Sequence, residues 1–274
     1  MTNLLEVRNY WQEHPLHSYE LGELGTLEFF DNLHRIKSQD IEKFALPFLA
    51  FNSFAGKKVL DAGCGPGWFT VQYALGEAEV TAIDLTPRAV ELTRRHLAFK
   101  RLTAEVREAN VEKMPFEDET FDLIVSLGVL HHTPKTALAF HECFRVLKRD
   151  GTAKFALYHK GILHQPLIFK LMQRLMRLLG VRHPGADLSR TAGDVDEFIR
   201  QYDGIHNPVG IGKTTREWKK ALQQAGFKIK RHELHYFPRR FIPCQRWIPD
   251  FIHKILDRMF GTLVYFDLVK PNRR

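Results

Sequence analysis

From residue 57 onward, short β-rich runs alternate with helical stretches, and this alternation constrains the fold more than any other feature. "KKVLDAG" reads as a buried strand, and "WFTVQYALG" as a helix stopped at Gly76. "AEVTAID" is a second strand. "TPRAVELTRRHLAFK" follows as a helix, with Thr86 as N-cap and Pro87 at its first position. "LTAEVREAN" and "FDLIVSL" read as the third and fourth strands. "PKTALAFHECFRVLKRDG" is a helix with Ala137, Phe140, Phe144 and Leu147 on one stripe, stopped by Asp150-Gly151. "TAKFALYH" is a fifth strand. Strands separated by helices fold into a parallel sheet with right-handed crossovers.

The alternation breaks at residue 161. It resumes with "TTREWKKALQQAGF" as a helix and with "KIKRHELHY" and "GTLVYFDLV" as strands. Four regions are expected. Residues 1–56 form a helical cap and 57–160 a nucleotide-binding core. Residues 161–213 form a lid insertion. Residues 214–274 complete the sheet, with a helical insertion at 237–260. Apolar residues make up 44% of the 274-residue chain and charged residues 26%, enough for a full soluble core. No apolar run approaches the roughly 20 residues that span a bilayer. The first residues lack the pattern of a secretory signal. Cys64, Cys143 and Cys244 form no CxxC pair, which argues against a zinc ribbon, a Cys-held cluster and a disulfide framework. A cytoplasmic protein is expected. Charge is uneven: residues 1–160 hold 19 Lys+Arg against 22 Asp+Glu, and residues 161–274 hold 21 against 10.

"VLDAGCGPGWFT" carries Gly63, Gly65 and Gly67 directly after the first strand. A dinucleotide fingerprint would put its third glycine at position 68, which is Trp68. A phosphate-cradling loop would need a following Lys-Ser or Lys-Thr. The only GKTT, at Gly212–Thr215, lacks the upstream glycine and reads as a helix entry capped by Thr214 or Thr215. The remaining reading is a nucleoside without phosphates, approached closely by backbone.

"VLDAGCGPG" resembles motif I of class I S-adenosylmethionine-dependent methyltransferases of the type 11 and ubiquinone/menaquinone-biosynthesis kind. "TAIDLTP", "EANVEKMPFEDETFDLIVSLGVLHH" and "VLKRDGTAKF" resemble the later motifs of that family, in order. In the last, Arg149-Asp150-Gly151 departs from the family's Pro-Gly-Gly. The resemblance implies S-adenosylmethionine as cofactor. It also implies a Rossmann-like sheet of order 3-2-1-4-5-7-6 with the last strand antiparallel. Gly63, Gly65 and Gly67 would admit the methionyl part, with Cys64 beside them. Asp61 would orient the loop or the cofactor ammonium through water, or cap the loop's N–H groups. Asp84 would accept both ribose hydroxyls, with Leu85 next to it. Asn110 stands where the family has Asp and would accept from the adenine amine, with the Val111 N–H on a ring nitrogen. The Leu127 carbonyl would meet the cofactor ammonium.

The acceptor is less constrained. Methyl transfer from a sulfonium is an in-line displacement in which positioning supplies most of the rate, so a general base is optional. His132, after the fourth strand, is the first candidate for a base. Tyr158, at the end of the fifth, is the second. His131 and His159 are substrate-contact candidates, as are Trp11, His14 and Tyr19 of the aromatic segment "YWQEHPLHSY". The 14 histidines show no metal-ligand spacing near these positions, so no metal is expected. Neither [DN]PP[YF] nor a well-placed Pro-Cys follows the fourth strand. A small-molecule acceptor is therefore expected rather than nucleic acid, with oxygen as the default atom. "LIFKLMQRLMRLL" at 167–179, and more weakly "FIHKILDRMF" at 251–260, are basic and amphipathic. Such helices usually roof a pocket with the apolar side inward, and the alternative is contact with an anionic membrane, with a quinone or lipid as acceptor.

Overall fold

The computed structural model describes residues 3–16, 21–178, 194–237 and 247–272. Seven strands form one sheet of order β3-β2-β1-β4-β5-β7-β6. β1 (Lys58–Ala62) pairs in parallel with β2 (Glu79–Asp84) and β4 (Phe121–Leu127). β3 (Glu105–Glu108) extends one side, and β5 (Leu147–Tyr158) follows β4 on the other. β7 (Leu263–Val269) runs antiparallel between β5 and β6 (Lys228–His235). This is the expected topology. β1 and β4 carry near-continuous buried residues, as a sheet covered on both faces requires.

Local chemistry sets the helix ends. In α5 (Pro87–Lys100) the Thr86 hydroxyl accepts from the Ala89 N–H, and Pro87 occupies the first position. α9 (Thr215–Gln224) opens with a capping box between Thr214 and Glu217, so GKTT is a helix entry. α6 (Thr136–Val146) differs from its expected reading. It buries Ala139, Phe140, Cys143 and Val146, leaves Ala137 exposed, and ends before Leu147. Leu147 already pairs with Phe121 in the sheet, so the strand takes it from the helix. The turn at Asp150-Gly151 lies inside the strand span, with Asp150 at φ 58°.

The segment ahead of the sheet is built into the core. From α2 (Leu27–Ile36), Phe29, Phe30 and Leu33 pack with Phe48, Trp68, Tyr158 and Tyr265. Lys154, buried in mid-strand, donates to the Phe48 carbonyl at 2.6 Å and lies over the Phe48 ring. Among the described residues of this segment, α1 (Leu4–Glu13), the residues just after it and Lys37 reach the strand ends.

α7 (Pro166–Leu178) and α10 (Asp250–Phe260) correct the expectation of an inward apolar side. Leu167, Leu171 and Leu178 are exposed, while Phe169 and Gln173 are buried. In α10, Phe251, Ile255 and Met259 are exposed, while His253 and Asp257 are buried. Phe169 is held by Phe198 at 4.9 Å between ring centroids and does not line the strand-end pocket. No helix among the described residues is long and apolar enough to cross a membrane.

Candidate functional site

One pocket opens at the carboxyl edge of the parallel strands, where open α/β sheets bind ligands. Its wall is built from the loops after β1, β2, β3 and β4 and from α1. Gly63, Cys64, Gly65, Asp84, Leu85, Asn110, Val111 and Leu127 all line it.

The three loop glycines have different tasks. A Cβ on Gly65 would meet nothing within 4 Å, so this position keeps space in the pocket open. A Cβ on Gly63 would sit 2.4 Å from a Val129 methyl, and one on Gly67 2.9 Å from the Thr93 side chain. Gly67 does not line the pocket. Its absent side chain serves the packing of the loop on α5, which corrects the expectation that all three glycines admit ligand. Gly128, which carried no assignment, matches Gly65: φ is +80°, a Cβ would meet nothing within 4 Å, and the residue lines the pocket.

Asp84 is already partly occupied. One carboxylate oxygen accepts from the Gly65 N–H at 3.0 Å, and the other from the Thr86 N–H and hydroxyl, both at 3.0 Å. Burial pushes this carboxyl upward, and the Thr86 and Gly65 N–H groups oppose that. A carboxylate has about four lone-pair sites. At least three are used by the chain, through Gly65 and Thr86, so a two-hydroxyl grip as first expected would require Thr86 to give way. Asn110 likewise spends one lone pair of its amide oxygen on the Glu112 N–H at 2.9 Å. The Val111 N–H has no partner among the described residues.

Asp61 and Cys64 stand apart from ligand chemistry. Asp61 is buried behind the loop and accepts from the Thr70 hydroxyl at 2.6 Å. Burial pushes its carboxyl up to about 7, against the Thr70 hydrogen bond. It does not line the pocket, so its place is the loop's support rather than a ligand contact. The Cys64 thiol is pushed well up by burial and by the Asp84 and Asp61 carboxylates, so it stays protonated.

At the far end of the pocket His132 is on the wall. Its Nδ1 lies 2.6 Å from the Val209 carbonyl, which assigns the proton to Nδ1. Its Nε2 lies 3.1 Å from an Asp203 carboxylate oxygen, without the alignment of a hydrogen bond. The Tyr158 hydroxyl donates to that same oxygen, and the Tyr10 hydroxyl donates to the Asp203 carbonyl. Trp11 packs its edge on His132 at 5.1 Å and lines the pocket.

The other candidates lie behind this group. Tyr158 is buried against His131, with ring centroids 3.9 Å apart, and does not reach the pocket. It is therefore a support for Asp203 rather than a catalytic group. His131 is fully buried, with neither ring nitrogen bonded among the described residues, and burial pushes its pKa well down. His14 stacks on Tyr10 at 4.7 Å, and His159 lies 3.4 Å from the Thr215 hydroxyl; neither lines the pocket. Tyr19 falls outside the described residues. Two lining or supporting residues had no sequence signal. Asp203 comes from "QYDGIHNPVGIG", whose turn chemistry carried no assigned role. Lys37, in a π-helical turn at Lys37–Ile41, is the sole Lys or Arg on the pocket wall among the described residues; its Nζ lies 3.5 Å from buried Glu42 and over the Phe69 ring. π-turns inside helices often mark functional positions.

Comparison with known proteins places this site in context. The sequence profile of a family described as "Methyltransferase domain" matches residues 60–155. A ubiquinone biosynthesis O-methyltransferase of Pseudomonas putida is 32% identical over 182 residues, 65% of this chain and 67% of the relative. A protein of the same name from Alkalilimnicola ehrlichii is 29% identical over 183 residues, 62% of this chain and 73% of the relative. Other relatives of that name are matched over as little as 57% of their length. Among solved structures, an S-adenosylmethionine-dependent methyltransferase of Mesorhizobium loti superposes with a TM-score of 0.58 at 22% identity, covering 83% of this chain and 97% of that one. The [4+2]-cyclase SpnF superposes with a TM-score of 0.56 at 18% identity, covering 84% and 81%. The fold is thus shared by proteins whose chemistry differs, and the site must carry the functional argument.

Proposed function

Because this chain belongs to the class I S-adenosylmethionine-dependent methyltransferases, we propose that it methylates an oxygen of a small-molecule acceptor beside His132. When bound, the cofactor supplies a sulfonium-activated methyl group. The residues present fit it. The open Cβ positions of Gly65 and Gly128 leave room for a ligand against bare backbone. The remaining lone pair of Asp84 suits a ribose hydroxyl, and the unpartnered Val111 N–H suits an adenine nitrogen. Lys37 is the wall's candidate for the methionyl carboxylate.

The observation that carries the acceptor side is His132 on the wall of the pocket that also holds Asp84, with the Asp203 carboxylate behind it at 3.1 Å from Nε2. With Nδ1 committed to Val209, Nε2 is the basic atom. An acceptor hydroxyl brought to this buried nitrogen would give up its proton there while its oxygen takes the methyl group that the bound cofactor would supply. The Asp203 carboxylate stabilises the resulting imidazolium, and Tyr158 fixes that carboxylate. Trp11 and the apolar face of α1 keep water from the site. The names of the relatives support an oxygen acceptor. The test is incubation with methyl-labelled S-adenosylmethionine and a panel of hydroxylated aromatics, aromatic amines and thiols, with products identified by mass spectrometry. O-methyl products are expected. Label found only on nitrogen, sulfur or carbon would overturn the oxygen assignment.

A further inference from the structure

We propose that the outward faces of α7 and α10 dock together on an anionic lipid surface. The two helices repeat one pattern. At about 100° per residue, Leu167, Ile168 and Leu171 share one arc of α7, with Lys170 and Arg174 along its flank. Phe251, Ile252 and Ile255 share the corresponding arc of α10, with Lys254 and Arg258 in the corresponding flank. These apolar side chains are exposed: Leu167 is 84% accessible, Leu171 68% and Phe251 66%. A core-facing helix shows the opposite arrangement.

The rotation of α10 is fixed from inside. Asp257 accepts from the Phe237 N–H at 2.9 Å and lies 2.7 Å from His235 Nδ1. The Nε2 of His253 lies 2.8 Å from the Phe237 carbonyl. Turning the apolar arc inward would strip these partners from a buried carboxylate, which is strongly unfavourable. The outward arc is therefore a property of the fold.

Both helices are carried on insertions that leave the sheet at one end. Tyr158 pairs with Leu263, and Leu263 with His235, so the chain enters or leaves both insertions at a single strand end. That is the carboxyl edge of the parallel strands, where the pocket opens. Charge selects the occupant. Residues 161–274 carry 21 Lys+Arg against 10 Asp+Glu. A second copy of the chain would bring the same basic flanks against each other. An anionic bilayer instead takes the apolar arcs at its acyl boundary and the cations at its headgroups. One consequence, an acceptor drawn from the lipid phase, rests on the methyl-transfer reading; the docking does not.

The test is flotation of the full chain with phosphatidylcholine vesicles and with mixed phosphatidylcholine–phosphatidylglycerol vesicles. Binding is expected to the mixed vesicles at low ionic strength and to weaken by about tenfold or more on neutral vesicles or in high salt. The double variant Phe251→Asp/Ile255→Asp should lose about tenfold or more of that binding. So should the variant Lys170→Glu/Arg174→Glu on the other helix. Calorimetric titration with S-adenosylhomocysteine, run on every variant, shows that each is folded. It also reports on the methyltransferase reading separately from docking. The proposal is overturned if the unmodified chain stays unbound on anionic vesicles at low salt, or if the variants float as well as it does. It is overturned equally if light scattering finds a concentration-dependent dimer that Phe251→Asp/Ile255→Asp dissolves, which would make a second copy the occupant.

Discussion

Gly63 and Gly67 let neighbouring elements approach, whereas Gly65 keeps a volume empty, although all three look alike in "AGCGPG". What separates them is the partner each backbone meets: Val129 from the loop after β4, Thr93 from α5, and nothing for Gly65. Asp84 was legible because both of its determinants are local. It ends a short β-rich run and precedes the Thr-Pro entry of a helix. Its hydrogen bonds to Thr86 and Gly65 were not legible, and they reduce what it can offer a ligand. Replacing Asp84→Ala removes a charge-assisted acceptor, worth about 1.5–3 kcal/mol. Calorimetry should find S-adenosylhomocysteine bound roughly ten- to a hundredfold more weakly. Unchanged affinity would remove Asp84 from the cofactor site. Lys37 shows the limit of reading single residues: nothing in "HRIKSQDI" distinguishes it from a solvated lysine until the π-turn seats it on the wall.

Elements placed the second half of the site. β4 ends within "SLGVLHH", and the short 3-10 turn Leu130–His132 that follows it brings His132 to the rim. Asp203 reaches His132 only because a short helix, α8 (Val195–Arg200), and the 3-10 turn after it fold back over β5. Tyr10 then ties α1 to that turn through the Asp203 carbonyl. The acidic neighbour gives the proposed role of His132 a test. Asp203→Asn removes the charge beside Nε2, so turnover of methyl transfer should fall about tenfold or more while S-adenosylhomocysteine binding is unaffected. Equal turnover in both proteins would detach Asp203 from the reaction. The stripe expected for α6 erred for a related reason: a helix period alone does not say where the next strand begins, and pairing of Leu147 with Phe121 decided it.

At the scale of the whole molecule, buried titratable groups set how stability responds to pH. Burial holds His96 and His164 down to about 4, below their ordinary value, so both are buried neutral. The unfolded chain binds those protons more readily, so their contribution is full above about pH 6.5 and is lost as pH falls toward 4. Asp61 acts in the opposite sense. Its raised pKa makes the folded state the better proton binder between about 4 and 7, so its cost grows as pH rises through that window. Asp61→Asn keeps an acceptor for Thr70 and removes the charge. Urea unfolding should find the variant more stable than the parent at pH 8, by at most about 4 kcal/mol, with the difference vanishing near pH 4. A variant less stable at pH 8 would mean the carboxylate is stabilised where it sits. The sequence by itself determined the sheet, its order through the family resemblance, the glycine loop and the strand-end acid, because hydrophobic period, capping and turn chemistry act over a few neighbouring residues. Only the tertiary structure decided which glycine faces the ligand, which acid faces His132, and that α7 and α10 turn their apolar sides outward. Those outcomes depend on groups far apart in the chain competing for the same space and the same hydrogen bonds, and no local pattern encodes the winner.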